Sequence, residues 1–373
     1  MKQIIANNIK NISGWRTNRK LVVFSIDDYG NVRLGSKVAL ENLQNDHIPF
    51  TSHFDRLDTL ETQDDLESLY TVLSSVQDKH GNPAVFTPYA LSCNIDFDAM
   101  SNNGYSEYVY ELLPKTYEKL SLKDSKAYKG TWALWKEGID KGLMKPQFHG
   151  REHFNLNVFN DLLKKRSENL LKVLKQDSYV SIPEHRDYKN GWTAAYSFNE
   201  KIETEHFLDN VDDGLKRFKE VYGYESKAFT PPAQQFPLHL ESGLSDLGVK
   251  FIDQPRRLKR HVGNGQYVME KHILGGGTTM TELVRNVVFE PTSAHISNWA
   301  DFTFKQIEAA FFWKKPANIS SHRVNFCGHI DPENRKAGLS ALKQLLDKIV
   351  KRWPDVEFIS ADQLGDIIKN NNK

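Results

Sequence analysis

Lys20–Ile26 (KLVVFSI), followed at once by Asp27-Asp28-Tyr29-Gly30, is the stretch on which the reading of the chain turns. An apolar, β-branched run this short predicts a buried strand, and its abrupt stop puts two carboxylates at the C-terminal end. The chain then alternates helix and strand. A helical pattern runs from about Ser36 to Asn45, then Ile48–Ser52 reads as a strand, Asp64–Asp78 as a helix and Ala84–Leu91 as a strand.

The segment Asp96–Lys141 breaks this rhythm. It is rich in Tyr, Lys, Ser and Gly, has no clear strand and reads as an insertion over one end of the domain. The alternation resumes with strands at Lys145–Phe148, Tyr179–Ile182, Ala228–Phe229 and Val249–Ile252, with helices at Val158–Leu174, Val211–Val221 and Leu238–Leu247 between or after them. Val287–Phe289, Ala317–Ser321 and Val356–Ile359 read as the last strands, with helices at Phe302–Trp313, Glu333–Arg352 and Ala361–Lys369. Repeated strand-then-helix units predict parallel strands with helices outside, and a count of about seven or eight strands favours a (β/α) barrel whose chemistry collects at the C-terminal strand ends.

Composition narrows the function. Lys plus Arg number 49 against 48 Asp plus Glu, which gives no summed field for a polyanion, so a nucleic-acid partner is not expected. Cys93 and Cys327 stand too far apart for a metal knuckle and are too few for a disulfide framework. There is no apolar signal-like start and no run of membrane-spanning length, so the chain reads as cytoplasmic, with no membrane insertion.

Four polar clusters follow predicted strands and fall on one barrel rim: Asp27-Asp28, His149-Gly-Arg-Glu-His153, Thr230-Pro-Pro and His322-Arg323. Adjacent carboxylates aimed into one site repel unless a cation neutralises one. A solvated turn or helix cap is the plain alternative for an isolated pair. His149 and His153 have the i, i+4 spacing that lets two imidazoles reach one ion, although that spacing also arises by chance in a chain with 13 His. One carboxylate and two imidazoles would make a three-ligand site with open positions, which is the catalytic pattern. His322 is a candidate acid or simply a hydrogen-bonded His at a strand end; His329, seven residues on, is the weaker candidate. Tyr105, Trp132 and Trp135 could stack on sugar faces or pin the insertion to the barrel.

With these clusters assembled, the sequence resembles the polysaccharide deacetylases of the NodB-homology class (carbohydrate esterase family four). FSIDDYG is similar to that family's first motif, HGREH to its second, AFTPPAQQF to its third and NISSHRVNF to its last. The likeness runs from about Lys20 to Ile367 and implies a distorted (β/α)7-type barrel, with residues 1–373 as one catalytic domain carrying an insertion at 96–141. It implies Asp27 as base, Asp28, His149 and His153 as ligands of one divalent ion (Zn, with Co, Ni or Mn as alternatives), and His322 as the acid. Thr230, Pro231, Arg285 and Arg151 are then the substrate-facing residues. Thr230 stands where the family usually has Arg, so the group that orients the base is missing or is supplied by Arg285 or Arg151. DDYG also looks like the YdjC-like deacetylases, which share the metal-bound Asp-His-His and act on small oligosaccharides. The implied function is metal-dependent removal of acetyl groups, N-linked or O-linked, from a sugar or polysaccharide. Two rivals remain: a carbohydrate-binding barrel without turnover, and a metal-free glycosidase using Asp27 and Glu290.

Overall fold

A nearly closed parallel barrel organises the computed structural model, which describes residues 2–371. Its strands are β1 (Lys20–Tyr29), β2 (Phe86–Ala90), β3 (Gln147–Phe148), β4 (Ala228–Phe229), β5 (Phe251–Pro255), β6 (Thr281–Arg285), β7 (Val287–Val288), β8 (Ala317–His322) and β9 (Val356–Phe358). They are ordered β6-β5-β4-β3-β2-β1-β8-β7, and β9 pairs with the first residues of β1. Only Asn286 separates β6 from β7, so the two are one interrupted strand whose first half pairs with β5 and second half with β8. Asn286 bridges the break: its backbone N–H donates to the Asn318 carbonyl (3.1 Å), and its side-chain oxygen accepts from the Asn318 N–H (2.9 Å). The barrel therefore has seven staves, as a distorted (β/α)7 barrel should.

Alternation along β1 explains how the barrel is filled. Val22, Phe24 and Ile26 join the large apolar cluster with the surrounding helices, whereas Leu21 and Val23 join a second one with Phe251, Leu283, Leu364 and Ile368. Each such side chain contributes roughly 1.5–3 kcal/mol when fully buried. Continuing along the second face, Ser25 donates to Asp253 (2.6 Å), which also accepts from Asn318 (2.9 Å). The barrel interior thus passes from apolar, where the last helix (Ala361–Asn371) packs, to polar at the strand ends.

Several sequence expectations need correction. Ile48–Ser52 is not a strand; it leads into the helix His53–Leu57, which Ser52 caps by accepting the Asp55 N–H (3.1 Å). Tyr179–Ile182 is not a strand either, because its backbone is satisfied by loop partners: Tyr179 N–H donates to the Arg33 carbonyl (3.0 Å) and Ser181 N–H to Asp55 (3.2 Å). The long helix expected at Val158–Leu174 is two helices, Leu156–Lys164 and Glu168–Leu174, broken where Arg166 takes φ 56° and Ser167 caps the second. A strand does exist within Asp96–Lys141: Tyr110–Leu112 pairs antiparallel with Cys93–Ile95. Helix Lys2–Ile9, strand β6 and the hairpin Arg257–His261 with Tyr267–Lys271 carry no clear signal in the sequence. No helix among the described residues is long and apolar enough to cross a membrane.

Candidate active site

Successive residues of a strand point to opposite faces, so Asp27 and Asp28 should not share a site. They do because the β1–β2 register shifts between Ile26 and Tyr29, and Asp28 there takes φ 75°. Aspartate is one of the few side chains that tolerates this left-handed conformation. Both carboxylates line one pocket of 430 Å³, together with His149, His153 and His322. A larger cavity of 960 Å³ lies between Lys2–Ile9, Trp299–Phe312 and the end of Pro332–Arg352, and it is lined by no histidine or cysteine. The smaller pocket holds the chemistry.

Asp28 Oδ1 lies 2.7 Å from His153 Nε2 and 3.3 Å from His149 Nε2, and one ligand atom from each of the three residues falls within 4.8 Å of the others. The group is buried. His149 Nδ1 lies 2.7 Å from the Thr230 carbonyl, a pure acceptor, so Nδ1 carries the proton and Nε2 presents a lone pair inward. A carboxylate and an unprotonated imidazole nitrogen that converge this closely fit a cation: the donor set is that of a divalent transition metal with open positions. Burial raises the Asp28 carboxyl, but the two imidazoles outweigh it and hold Asp28 well below the usual carboxylate range; burial in turn pulls His153 down, against the pull of Asp28.

Asp27 is held differently. Arg285, from the end of β6, donates Nη1 to Oδ2 (2.7 Å) and Nη2 to Oδ1 (2.8 Å), a planar two-bond clamp. Arg285 Nη2 also donates to Thr230 Oγ1 (2.9 Å), which in turn donates to the Asp253 carbonyl (2.8 Å). Burial raises the Asp27 carboxyl, yet Arg285 overrides it and the carboxyl sits below its ordinary value. Asp253, deeper still, is raised by burial. Gln234 Nε2 approaches Asp27 Oδ2 at 3.4 Å from the pocket side.

His322 closes the opposite edge, its Nε2 4.0 Å from Asp27 Oδ2 and its Nδ1 2.7 Å from Glu290 Oε1. Burial lowers its pKa, but the Glu290 charge and hydrogen bond, aided by Asp28 and Asp27, raise it to about 10. With 31% of the side chain exposed, solvent screens part of that pull. Asn325 holds Glu290 from behind (2.7 Å).

Of the residues singled out from sequence, Asp27, Asp28, His149, His153 and His322 meet here. Thr230 is wholly buried behind Asp27 and Arg285 is nearly so; neither lines the pocket, nor does buried Pro231. They back the site instead of facing a substrate. Arg151 turns away to Glu152 (2.5 Å) and Asp213 (2.8 Å), so the clamp on Asp27 comes from Arg285 alone of the two candidates. His329 bonds Tyr128 (3.0 Å) outside the pocket. Trp135 is wholly buried and donates to Glu61 and Tyr117; Trp132 packs on Tyr117 and Tyr222, and Tyr105 on a second apolar cluster. These three build core, and the ring that lines the pocket is Phe54. Glu290 does not face Asp27 across an open gap, because His322 stands between them. Sequence reasoning missed Arg33, Asp55 and Gln234, which sit on loops or a short helix with no periodic signal.

No family model and no curated protein matches the chain. Solved structures similar to it include a 4-α-glucanotransferase from Thermococcus litoralis, 10% identical, with TM-score 0.46; the match covers 93% of this chain and 40% of that one. The allantoinase PuuE is 11% identical with TM-score 0.42, covering 94% and 91% of the two chains. A family 4 carbohydrate esterase from Streptomyces lividans, in complex with acetate, is 9% identical with TM-score 0.34, covering 90% of each. The chain spans less than half of the glucanotransferase. These names cover different chemistries, so a functional reading has to come from the site's own residues.

Proposed function

We propose that the protein is a metal-dependent hydrolase that removes an acetyl group from an N-acetylated sugar or polysaccharide, with residues 1–373 serving as one catalytic domain. The observation that carries this reading is the convergence, in one pocket, of an Asp-His-His ligand set, an arginine-clamped carboxylate and a carboxylate-backed histidine. Asp28, His149 and His153 would hold the ion, Zn or a neighbour in the transition series. When bound, that ion supplies Lewis-acid polarisation of an acyl oxygen and acidifies water.

The chain's own residues do the proton work. Asp27, kept ionised and fixed in orientation by Arg285, accepts the proton of the attacking water. His322, kept protonated by Glu290, gives a proton to the departing amine nitrogen, without which amide cleavage stalls. Thr230 and Asp253 hold Arg285, so that the clamp does not swing away with the substrate's arrival. Arg285 answers the concern raised by Thr230, since it engages the base from another strand and a binding-only barrel has no need of it. The glycosidase rival needs two carboxylates flanking a sugar bond, and here one is engaged by Arg285 while the other backs His322.

The deciding experiment measures acetate released from N-acetylglucosamine oligomers by protein loaded with Zn or Co, and by the same protein after chelation. Acetate from the loaded protein only is the expected result. Release that ignores the chelator, or sugar-bond cleavage in its place, would sink the reading.

A further inference from the structure

Arg33 belongs to the loop after β1 and lines the same pocket as Asp27, Asp28 and His322, yet the proton work gives it no task. It is 7% exposed. Its Nε and Nη2 both lie on one oxygen of Asp55, at 3.1 and 3.0 Å. Asp55 is otherwise satisfied, accepting from Ser52 Oγ (2.8 Å), Ser181 N–H (3.2 Å) and Ser181 Oγ (3.3 Å). Asp55 is therefore a built mount that fixes the guanidinium by one edge. Nη1 makes no hydrogen bond among the described residues, and it is not sealed in the interior as the Nε of Arg285 is. Nη1 is therefore a donor on a fixed cation that opens on the pocket and can meet a ligand oxygen without breaking the bonds to Asp55. Its neighbours agree: Phe54 touches both the Arg33 guanidinium (5.5 Å) and the His322 ring (5.1 Å), and an apolar ring between two nitrogen heads suits a pyranose with a charged substituent.

We infer that Arg33 forms an anion subsite, so that the substrate is an acidic acyl sugar carrying a carboxylate, phosphate or sulfate close to the acyl group. The choice among anions follows from the shared chemistry, since each offers an oxygen to one Nη1 edge. The inference rests on the deacetylase reading for the acyl sugar, and on Arg33 alone for the charge.

The test is calorimetric binding to chelator-treated protein, so that nothing is turned over. The probes are neutral N-acetylglucosamine, N-acetylmuramic acid (a carboxylate) and N-acetylglucosamine 6-phosphate. Wild type should bind at least one acidic probe about tenfold more tightly than the neutral sugar, and which one identifies the source of the anion. Arg33→Gln should abolish that ratio. Arg33→Lys, which keeps a charge on Asp55 but withdraws the fork, should cut it as well and guards against misfolding of the first variant. Equal binding of all three probes by wild type, or an unchanged ratio in folded Arg33→Lys, overturns the subsite. A parallel acetate assay on metal-loaded protein separates the two ideas. An Arg33-dependent preference without acetate release leaves the subsite and removes the deacetylase; acetate release with no such preference does the reverse.

Discussion

Two walls of one pocket carry adjacent aspartates and treat them oppositely. Behind Asp27 stands a buried layer of Arg285, Thr230, Asp253, Ser25 and Asn318, linked one to the next by hydrogen bonds and by the Arg285–Asp253 ion pair (3.3 Å). Around Asp28 stand two imidazoles, and His153 Nδ1 finds no hydrogen-bond partner among the described residues. The first wall immobilises a charge; the second gathers lone pairs toward a point. The contrast shows how neighbouring residues of one type acquire separate duties through what the rest of the fold brings to them.

The contrast is most fully undone at the second wall. The double variant His149→Ala, His153→Ala should lose its metal by elemental analysis and its acetate release to background. Full metal content in that variant would remove both residues as ligands. Next comes the first wall: Asp27→Asn should keep the metal while turnover falls by roughly a hundredfold or more, since the amide retains shape without basicity. Should Asp27→Asn empty the site and Asp28→Asn leave it filled, the two duties are exchanged.

Arg285→Met probes the first wall through pH. Arg285 holds the Asp27 carboxyl below its ordinary value against burial, so without it the carboxyl should rise and the acid limb of kcat/KM should move to higher pH. A limb that stays in place would show that the clamp only orients. A smaller, selective effect is expected at His322. His322→Ala should slow amide cleavage severely and spare an activated acetate ester, whose leaving group needs no proton; equal losses on both would deny it the role of acid.

The smallest effect concerns stability of the metal-free protein. The folded pKa of His322, about 10, lies above the unfolded value near 6.5. Its contribution is therefore whole below about pH 6.5 and is lost as pH rises through about 10. Urea unfolding of wild type and His322→Gln should converge between pH 7 and 10.5. Glu290→Gln should remove most of that convergence in advance.

Much of the site is legible in the chain, for a definable reason. Asp27 follows an apolar run, His149 and His322 follow short segments read as strands from the alternation around them, and a parallel barrel delivers strand ends to one rim, so local pattern and topology point to the same place. Arg285 is one of two arginines that the pattern allows, because its strand (TELVR) mixes polar and apolar residues and lacks a strand's signature. The Arg33–Asp55 mount is invisible in the sequence, since a loop and a short helix that meet only in the folded chain make it. Ile48–Ser52 misleads for the opposite reason: its apolar residues pack against a cluster without any ladder, and a strand-like composition alone does not create a partner.

The register shift at Asp28 also governs how β1 tolerates change. It acts as a phase shifter: before it, odd positions point into the barrel, and beyond it that parity no longer holds. A single-residue insertion between Ile26 and Asp27 would keep both carboxylates but move them one step out of phase with the partners that hold them. A substitution scan, which preserves length, would miss this entirely. The spacing of the motif is therefore as much a part of the site as the side chains in it, and a chain with both aspartates one step out of phase should fold its barrel and hold no metal.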